Sequence, residues 1–374
     1  MFWKQPHSSR RRPSKAPPPN NCTGPHSWSV PGEVLESQSK ANATSDLISH
    51  YNIAGHLLRL HTLGDWEALW VGSFLKGFHL VHTVAPVDQP SITLTVRRAP
   101  LPIIPSGMQS FAINRGECFT DGSQYFLAVD DSLIRISVPE DRLVEVWFGL
   151  SDHARHPVAL VNAFSYGLQA ALRRAGVFDV HAAGAVEPIS QAGALFVGAS
   201  GSGKTTLTLR LTEAGWLYLS DDMVVLSETP TSLEAEGLRR LFAVADTSVV
   251  GSSSRRLSAA LGPPVASDPS KRRLEPERVF PESRAVSCQP RALFFPRVAA
   301  SDETTIKKIE ARAAMEQLMR HCPWATYDAY TAPSYLRVLA RLANQCRAYE
   351  LAAGRDLLLK PERAADLLAP CMTE

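Results

Sequence analysis

The chain has no Cys-x-x-Cys pair. Its six cysteines, Cys22, Cys118, Cys288, Cys322, Cys346 and Cys371, stand far apart. That spacing argues against zinc ribbons and dithiol redox centres. A chain of 374 residues has no need of disulfides, so free thiols in a reducing cytoplasm are expected. There is also no run of ~18 apolar residues, the length a membrane helix needs. The basic start is not followed by a hydrophobic stretch, so no secretory signal is expected. Nor is charge of one sign in excess, with 39 Lys and Arg against 37 Asp and Glu. This balance does not argue for nucleic acid. The expectation is a cytoplasmic protein with neither a membrane nor a nucleic-acid partner.

What is present falls into distinct stretches. Residues 1–45 are rich in Pro, Ser, Asn and Arg, as in "RRRPSKAPPPNN". Lys4, Arg10, Arg11, Arg12, Lys15 and Lys40 stand there against only Glu33 and Glu36. Such a stretch buries too little apolar surface to offset its ordering entropy, and a disordered basic tail is expected. Residues 46–155 carry short runs such as "HLLRLHTL", "SITLTVRR", "QYFLAV", "SLIRISV" and "LVEVWFG". β-branched and aromatic residues between turn signals predict strands, hence a β-rich N-terminal region. His50, His56, His61, His79 and His82 lie here without the spacing of a helical metal site, and Trp66 and Trp70 are expected in the core.

From residue 156 the pattern becomes mixed α/β. "HPVALVNAFSYGLQAALRRAG" has helical periodicity and ends on Gly176, a suitable C-cap. "VFDVHAAGAVE" and "GALFVGAS" read as two strands around the turn "PISQ". "TTLTLRLTEA" reads as a helix closed by Gly215, with "WLYLS" and "MVVLSE" as further strands. Residues 251–290, with "SSSRR" and "SDPSKRRLEPER", read as a long flexible insertion. Strands "RALFFPRV" and "TTIKKIEA" follow, then helices over 312–321, 332–345 and 361–368.

One motif carries chemistry outright. Gly198, Ala199, Ser200, Gly201, Ser202, Gly203, Lys204 and Thr205 fit G-x-x-x-x-G-K-[ST], with Thr206 following. A strand precedes it and a helix follows, as a phosphate loop requires. Glycines let the backbone turn its N–H groups inward onto phosphate oxygens. The helix N-terminus adds partial positive charge. Lys204 supplies a full charge to the β- and γ-phosphates, and the Thr205 hydroxyl can ligate magnesium.

Asp221 and Asp222 follow the loop closely, between two predicted strands. Adjacent residues at a strand end point in different directions. One carboxylate can therefore hold a metal while the other faces an acceptor and takes the proton of an attacking hydroxyl. The short connection predicts that the strand before the pair lies beside the loop strand. His181, in "VHAAGAV", would by itself read as a core histidine.

Taken together, "VHAAGAV", "GASGSGKTT" and "GWLYLSDDMVVL" resemble the HPr kinase/phosphorylase family and its HPr-kinase-like relatives. The resemblance spans residues 177–228. It implies a phosphoenolpyruvate carboxykinase-like phosphate-loop kinase domain over residues 156–374, with ATP and Mg2+ as cofactors. It also implies that Asp222 is the base, Asp221 and Thr205 hold magnesium, Lys204 clamps phosphate, and His181 belongs to the active site. Family members are often oligomers, which would extend to a homo-oligomer here. The family's second signature, an acidic residue followed by Arg-Gly and Ile-Asn, is absent. Asp246 in "FAVADTSVV" stands near where its acidic ligand would fall.

The expected activity is transfer of the ATP γ-phosphate to a hydroxyl, foremost a Ser or Thr of a protein or peptide. A nucleotide sensor without chemistry and a small-molecule kinase are the alternatives. A transport ATPase is disfavoured: there is no "LSGGQ"-like signature and no late apolar strand ending in Asp-Glu.

Overall fold

The structure is a computed structural model. It describes residues 46–84, 92–150, 157–249, 254–265 and 268–373. The basic tail expected over residues 1–45 lies outside the described residues. The architecture is mixed α/β, with two large sheets and a small third one.

The first sheet holds nine strands and covers the region read as β-rich. Its spatial order is Val81–His82, Asp46–Ile53, His56–Leu63, Ile92–Arg98, Leu143–Phe148, Ser132–Ile136, Tyr125–Val129, Gly116–Thr120 and Gln109–Ile113. Ile92, Leu94 and Val96 alternate onto one buried face, as the period of a strand dictates. The helix Pro157–Arg174 packs on that sheet, burying Leu160, Phe164, Leu168 and Ala171. It ends before Gly176, whose φ of 85° suits a helix terminus. Although the sequence groups this helix with the kinase domain, its apolar face joins one core with the first sheet. Trp66 and Trp70 lie on a helix, Asp65–Leu75, and Trp70 is buried.

The second sheet carries the phosphate loop. Its order is Phe178–Val180, Val224–Glu228, Leu233–Gly237, Ser287–Val298, Ala192–Val197, Ala182–Val186 and Leu217–Ser220, with Arg347–Ala353 also paired to Ser287–Val298. Every residue of Ala192–Val197 is buried, because helices cover both of its faces. Ala194 and Phe196 meet Leu207, Leu211 and Leu368 on one side. Leu195 and Val197 belong to the core on the other side, with Leu339 and Leu342.

Two expectations are corrected. The strand Leu217–Ser220 does not lie beside the loop strand, because Ala182–Val186 sits between them, antiparallel to both. Two antiparallel steps restore direction, so the two outer strands still end at the same sheet edge. Residues 254–265 and 268–290 are also not a featureless loop. A helix, Ser254–Ala260, leads into Leu261–Val265 and Asp268–Leu274, which form a three-stranded sheet with Phe242–Ala245. Leu257, Leu274 and Val279 are buried there against Leu209, Tyr218, Phe242 and Val244. A few apolar residues at the right places hold an otherwise polar segment against the loop helix.

Candidate active site

The loop strand Ala192–Val197 ends one residue before Gly198, and the helix Lys204–Glu213 begins on the loop lysine. Gly201 and Gly203 have φ of 82° and 97°, a region that disfavours other residues. A Cβ at Gly198 would come within 2.8 Å of Ser202 Oγ, so the loop closes tightly on itself. Lys204 is buried and donates to the carbonyls of Gly198 at 2.6 Å and Ala199 at 2.9 Å. Burial lowers its pKa, while Asp221 and Asp222 pull the other way. The Thr206 hydroxyl lies 2.6 Å from Ser248 Oγ and shares a hydrogen bond with it.

Asp221 and Asp222 part company, as adjacent strand-end residues must. Asp221 is buried at 2% exposure. Its Oδ1 accepts the Thr205 hydroxyl at 2.5 Å and its Oδ2 accepts the Ala243 N–H at 2.8 Å. Burial, then the charge of Asp222, pushes its pKa up to about 7. Asp222 is half-buried and turns the other way, where Arg239 Nε donates to its Oδ1 at 3.0 Å.

Asp222 borders a small cavity of about 70 Å³ with Phe78, Gln169, His181 and Arg239. His181 sits at the break between Phe178–Val180 and Ala182–Val186, where the chain passes from one strand partner to another. His181 is exposed at the cleft, yet partial desolvation by the surrounding protein, then the charge of Lys204, lowers its pKa. It therefore favours the neutral imidazole. His181 and Gln169 also line a larger cavity of about 350 Å³, with Tyr166, His321 and Trp324. The structure thus places Lys204, Thr205 and Asp221 together, and Asp222 with His181 in the adjoining cleft. Asp246 stands exposed in the short turn Asp246–Ser248.

Several residues at this site carry no sequence signal. Arg239 reaches Asp222 from the segment after Leu233–Gly237, and its guanidinium lies 4.4 Å from the centre of the Phe78 ring. Phe78 and Gln169 come from the N-terminal region and its packed helix. Lys271, on Asp268–Leu274, places Nζ 3.1 Å from Ser200 Oγ in the phosphate loop.

The residues fit a magnesium nucleotide. The loop closes with left-handed glycines, a buried lysine leans on its carbonyls, and Ser202 Oγ is buried without a partner among the described residues. Thr205 and Asp221 offer two converging oxygens beside the loop. Among the described residues no group of three or more His, Cys, Asp or Glu is arranged to hold a metal ion. Magnesium needs none, since it is held by one or two carboxylates together with substrate phosphates and water.

No family model matches the chain, and no curated protein matches it. Among solved structures, it is similar to the HPr(Ser) kinase/phosphatase from Coxiella burnetii, at 12% identity and a TM-score of 0.27. The overlap covers 51% of this chain and 94% of that one. A likeness at that score says nothing about the chemistry of this chain. Among the described residues no helix is long and apolar enough to cross a membrane.

Proposed function

We propose that the chain is a Mg2+- and ATP-dependent phosphotransferase that passes the γ-phosphate to a hydroxyl, foremost a Ser or Thr of a protein or peptide. The observation that carries this reading is the division of labour in the aspartate pair. Asp221 turns inward to Thr205 at the phosphate loop, while Asp222 turns outward to a cleft with His181. A carboxylate facing a cleft beside the phosphate loop is placed to meet an acceptor hydroxyl, which nucleotide binding alone does not require.

In this reading the loop N–H groups and Lys204 hold the phosphate chain, Lys204 exchanging the Gly198 and Ala199 carbonyls for phosphate oxygens. Thr205 and Asp221 would hold magnesium, which neutralises phosphate charge when bound. Asp222 accepts the proton of the acceptor hydroxyl as that oxygen bonds to the γ-phosphorus and the bond to the ADP oxygen breaks. Arg239 fixes the Asp222 carboxylate, and His181 lines the acceptor side. Little covalent work is asked of the protein, since phosphoryl transfer depends mostly on positioning and charge neutralisation.

The test follows γ-labelled Mg·ATP incubated with the purified chain and a lysate of its source. Acid-stable label on a protein or peptide, lost with both Lys204→Ala and Asp222→Asn, supports the reading. Asp222→Asn should keep near-normal ATP binding. ATP binding without transfer would move the weight to a nucleotide sensor. Label on a small metabolite would make the acceptor a small molecule.

A further inference from the structure

The insert that begins after the Asp246–Ser248 turn lies against the phosphate loop. The sheet it joins, and the turn that leads into it, are tied to the site at three points. Ala243 N–H donates to Asp221, Ser248 Oγ meets Thr206, and Ser248 O accepts from Arg210. The strand Asp268–Leu274 therefore has a fixed position over the loop. Alternate residues of a strand face opposite ways. Arg272 turns to its own hairpin and donates to the Gly262 carbonyl at 2.9 Å. Lys271 turns the other way, to Ser200 Oγ at 3.1 Å. Its positive charge, after burial and the two aspartates, also acts to lower the Lys204 pKa. Arg273, on the same strand, has its pKa lowered by burial and then by the charge of Arg239.

We propose that Lys271 is a second phosphate-binding cation, delivered by the insert to the terminal phosphates of the nucleotide. This rests on the kinase reading and deepens it. A partly exposed lysine whose tip rests on a phosphate-loop hydroxyl adds positive charge beside the buried Lys204, and the two repel unless an anion comes between them. The polyphosphate end of a nucleotide is that anion. In the structure Asp268 Oδ2 lies 3.2 Å from Lys271 Nζ and balances its charge. Asp268 is three residues away on the same edge and also accepts from Ser270 at 2.6 Å. Asp268 therefore acts as a holding partner, which Lys271 leaves for phosphate. The Lys271 side chain is 23% exposed, so the exchange needs no unfolding of the hairpin.

The experiment measures the affinity of the full chain for Mg·ATP and for AMP, by calorimetry, in wild type, Lys271→Met, Lys271→Arg and Asp268→Asn. A charge-assisted contact to phosphate predicts that Lys271→Met weakens Mg·ATP binding by roughly tenfold to a hundredfold. AMP binding should stay level, and Lys271→Arg should recover most of the loss. Asp268→Asn should leave Mg·ATP binding unchanged or tighter. Equal Mg·ATP affinity in wild type and Lys271→Met overturns the proposal. So does a matching loss in Asp268→Asn, which would make the pair a structural staple of the hairpin. Wild-type chain that binds no Mg·ATP overturns the kinase reading as well, and is thereby told apart from failure of Lys271 alone.

Discussion

Arg239 Nε lies 3.0 Å from Asp222 Oδ1, and the same guanidinium covers the Phe78 ring. One side chain thus couples the carboxylate assigned as base to the N-terminal region. The segment around it is paired the same way, since His79 N–H donates to the Leu238 carbonyl and Arg240 N–H to the Gly77 carbonyl. A base that must meet an incoming hydroxyl gains from a fixed orientation. Arg239→Met is expected to lower turnover roughly tenfold to a hundredfold while ATP affinity holds. Arg239→Lys, which keeps the charge but loses the planar fork, should fall between. Steady-state kinetics beside an ATP-binding isotherm checks this. A loss confined to ATP binding would remove Arg239 from the acceptor side.

Thr205 and Asp221 make a second short link, 2.5 Å from hydroxyl to carboxylate, in a place where Asp221 is buried. Thr205→Val keeps the shape and removes the donor. The Asp221 Oδ1 would then be left unpaired, at a cost of ~1–3 kcal/mol. Thr205→Ser should keep most of the stability. Denaturant unfolding of the metal-free chain compares the three. Equal midpoints for Val and Thr would show that water fills the gap and that the hydrogen bond contributes nothing net.

The phosphate loop was legible because its chemistry is spelled by neighbours in sequence. Glycines, lysine and threonine fall within one turn of chain, and Asp221 and Asp222 follow one helix and one strand later. Lys271, Arg239 and Gln169 were not legible, because each reaches the site from a different element and only packing brings them there. The insert misled for a related reason. Leu257, Leu261 and Leu274 are too sparse among Ser, Pro and Arg to show a period, yet they suffice to dock a small sheet onto Leu209 and Tyr218. In the first sheet, "HLLRLHTL" showed itself by burial on one face. "DLISHYNI" did not, since that strand is mostly solvent-facing and its residues alternate little. The strand holding "AAGAV" was legible, but not its place between the loop strand and the aspartate strand, because a strand's sequence does not name its second neighbour.

Gly237 has a packing reason to be glycine. A Cβ there would stand 1.9 Å from the Leu219 carbonyl oxygen, two residues before Asp221. Neither backbone is free to retreat, since Gly237 pairs with Val224 and Leu219 lies in the strand before the aspartates. Gly237→Ala is expected to cost ~3 kcal/mol or more by forced overpacking. It should also disturb Asp221, so nucleotide affinity falls along with stability. Circular-dichroism melts and an ATP-binding isotherm on the same sample test both. A variant as stable as wild type would show that the strand yields without cost.

His79 supplies a pH dependence of stability. It sits where the N-terminal region meets the segment around Arg239, with its side chain 9% exposed. Burial, then the positive charges of Arg284 and Arg240, pulls its pKa from 6.5 down to about 4. Glu277, 4.0 Å away, does not offset them. In the folded chain the ring stays neutral, whereas in the unfolded chain it takes a proton near pH 6.5. The unfolded state then binds more protons, so stability falls as pH drops. This contribution is fully present above pH 6.5 and is lost progressively toward pH 4. It amounts to on the order of 2 kcal/mol once part of the shift is discounted for solvent screening. His79→Gln removes the titration, so its Tm should decline less than that of wild type between pH 6.5 and 4. Parallel declines in the two proteins would place the acid sensitivity on other groups.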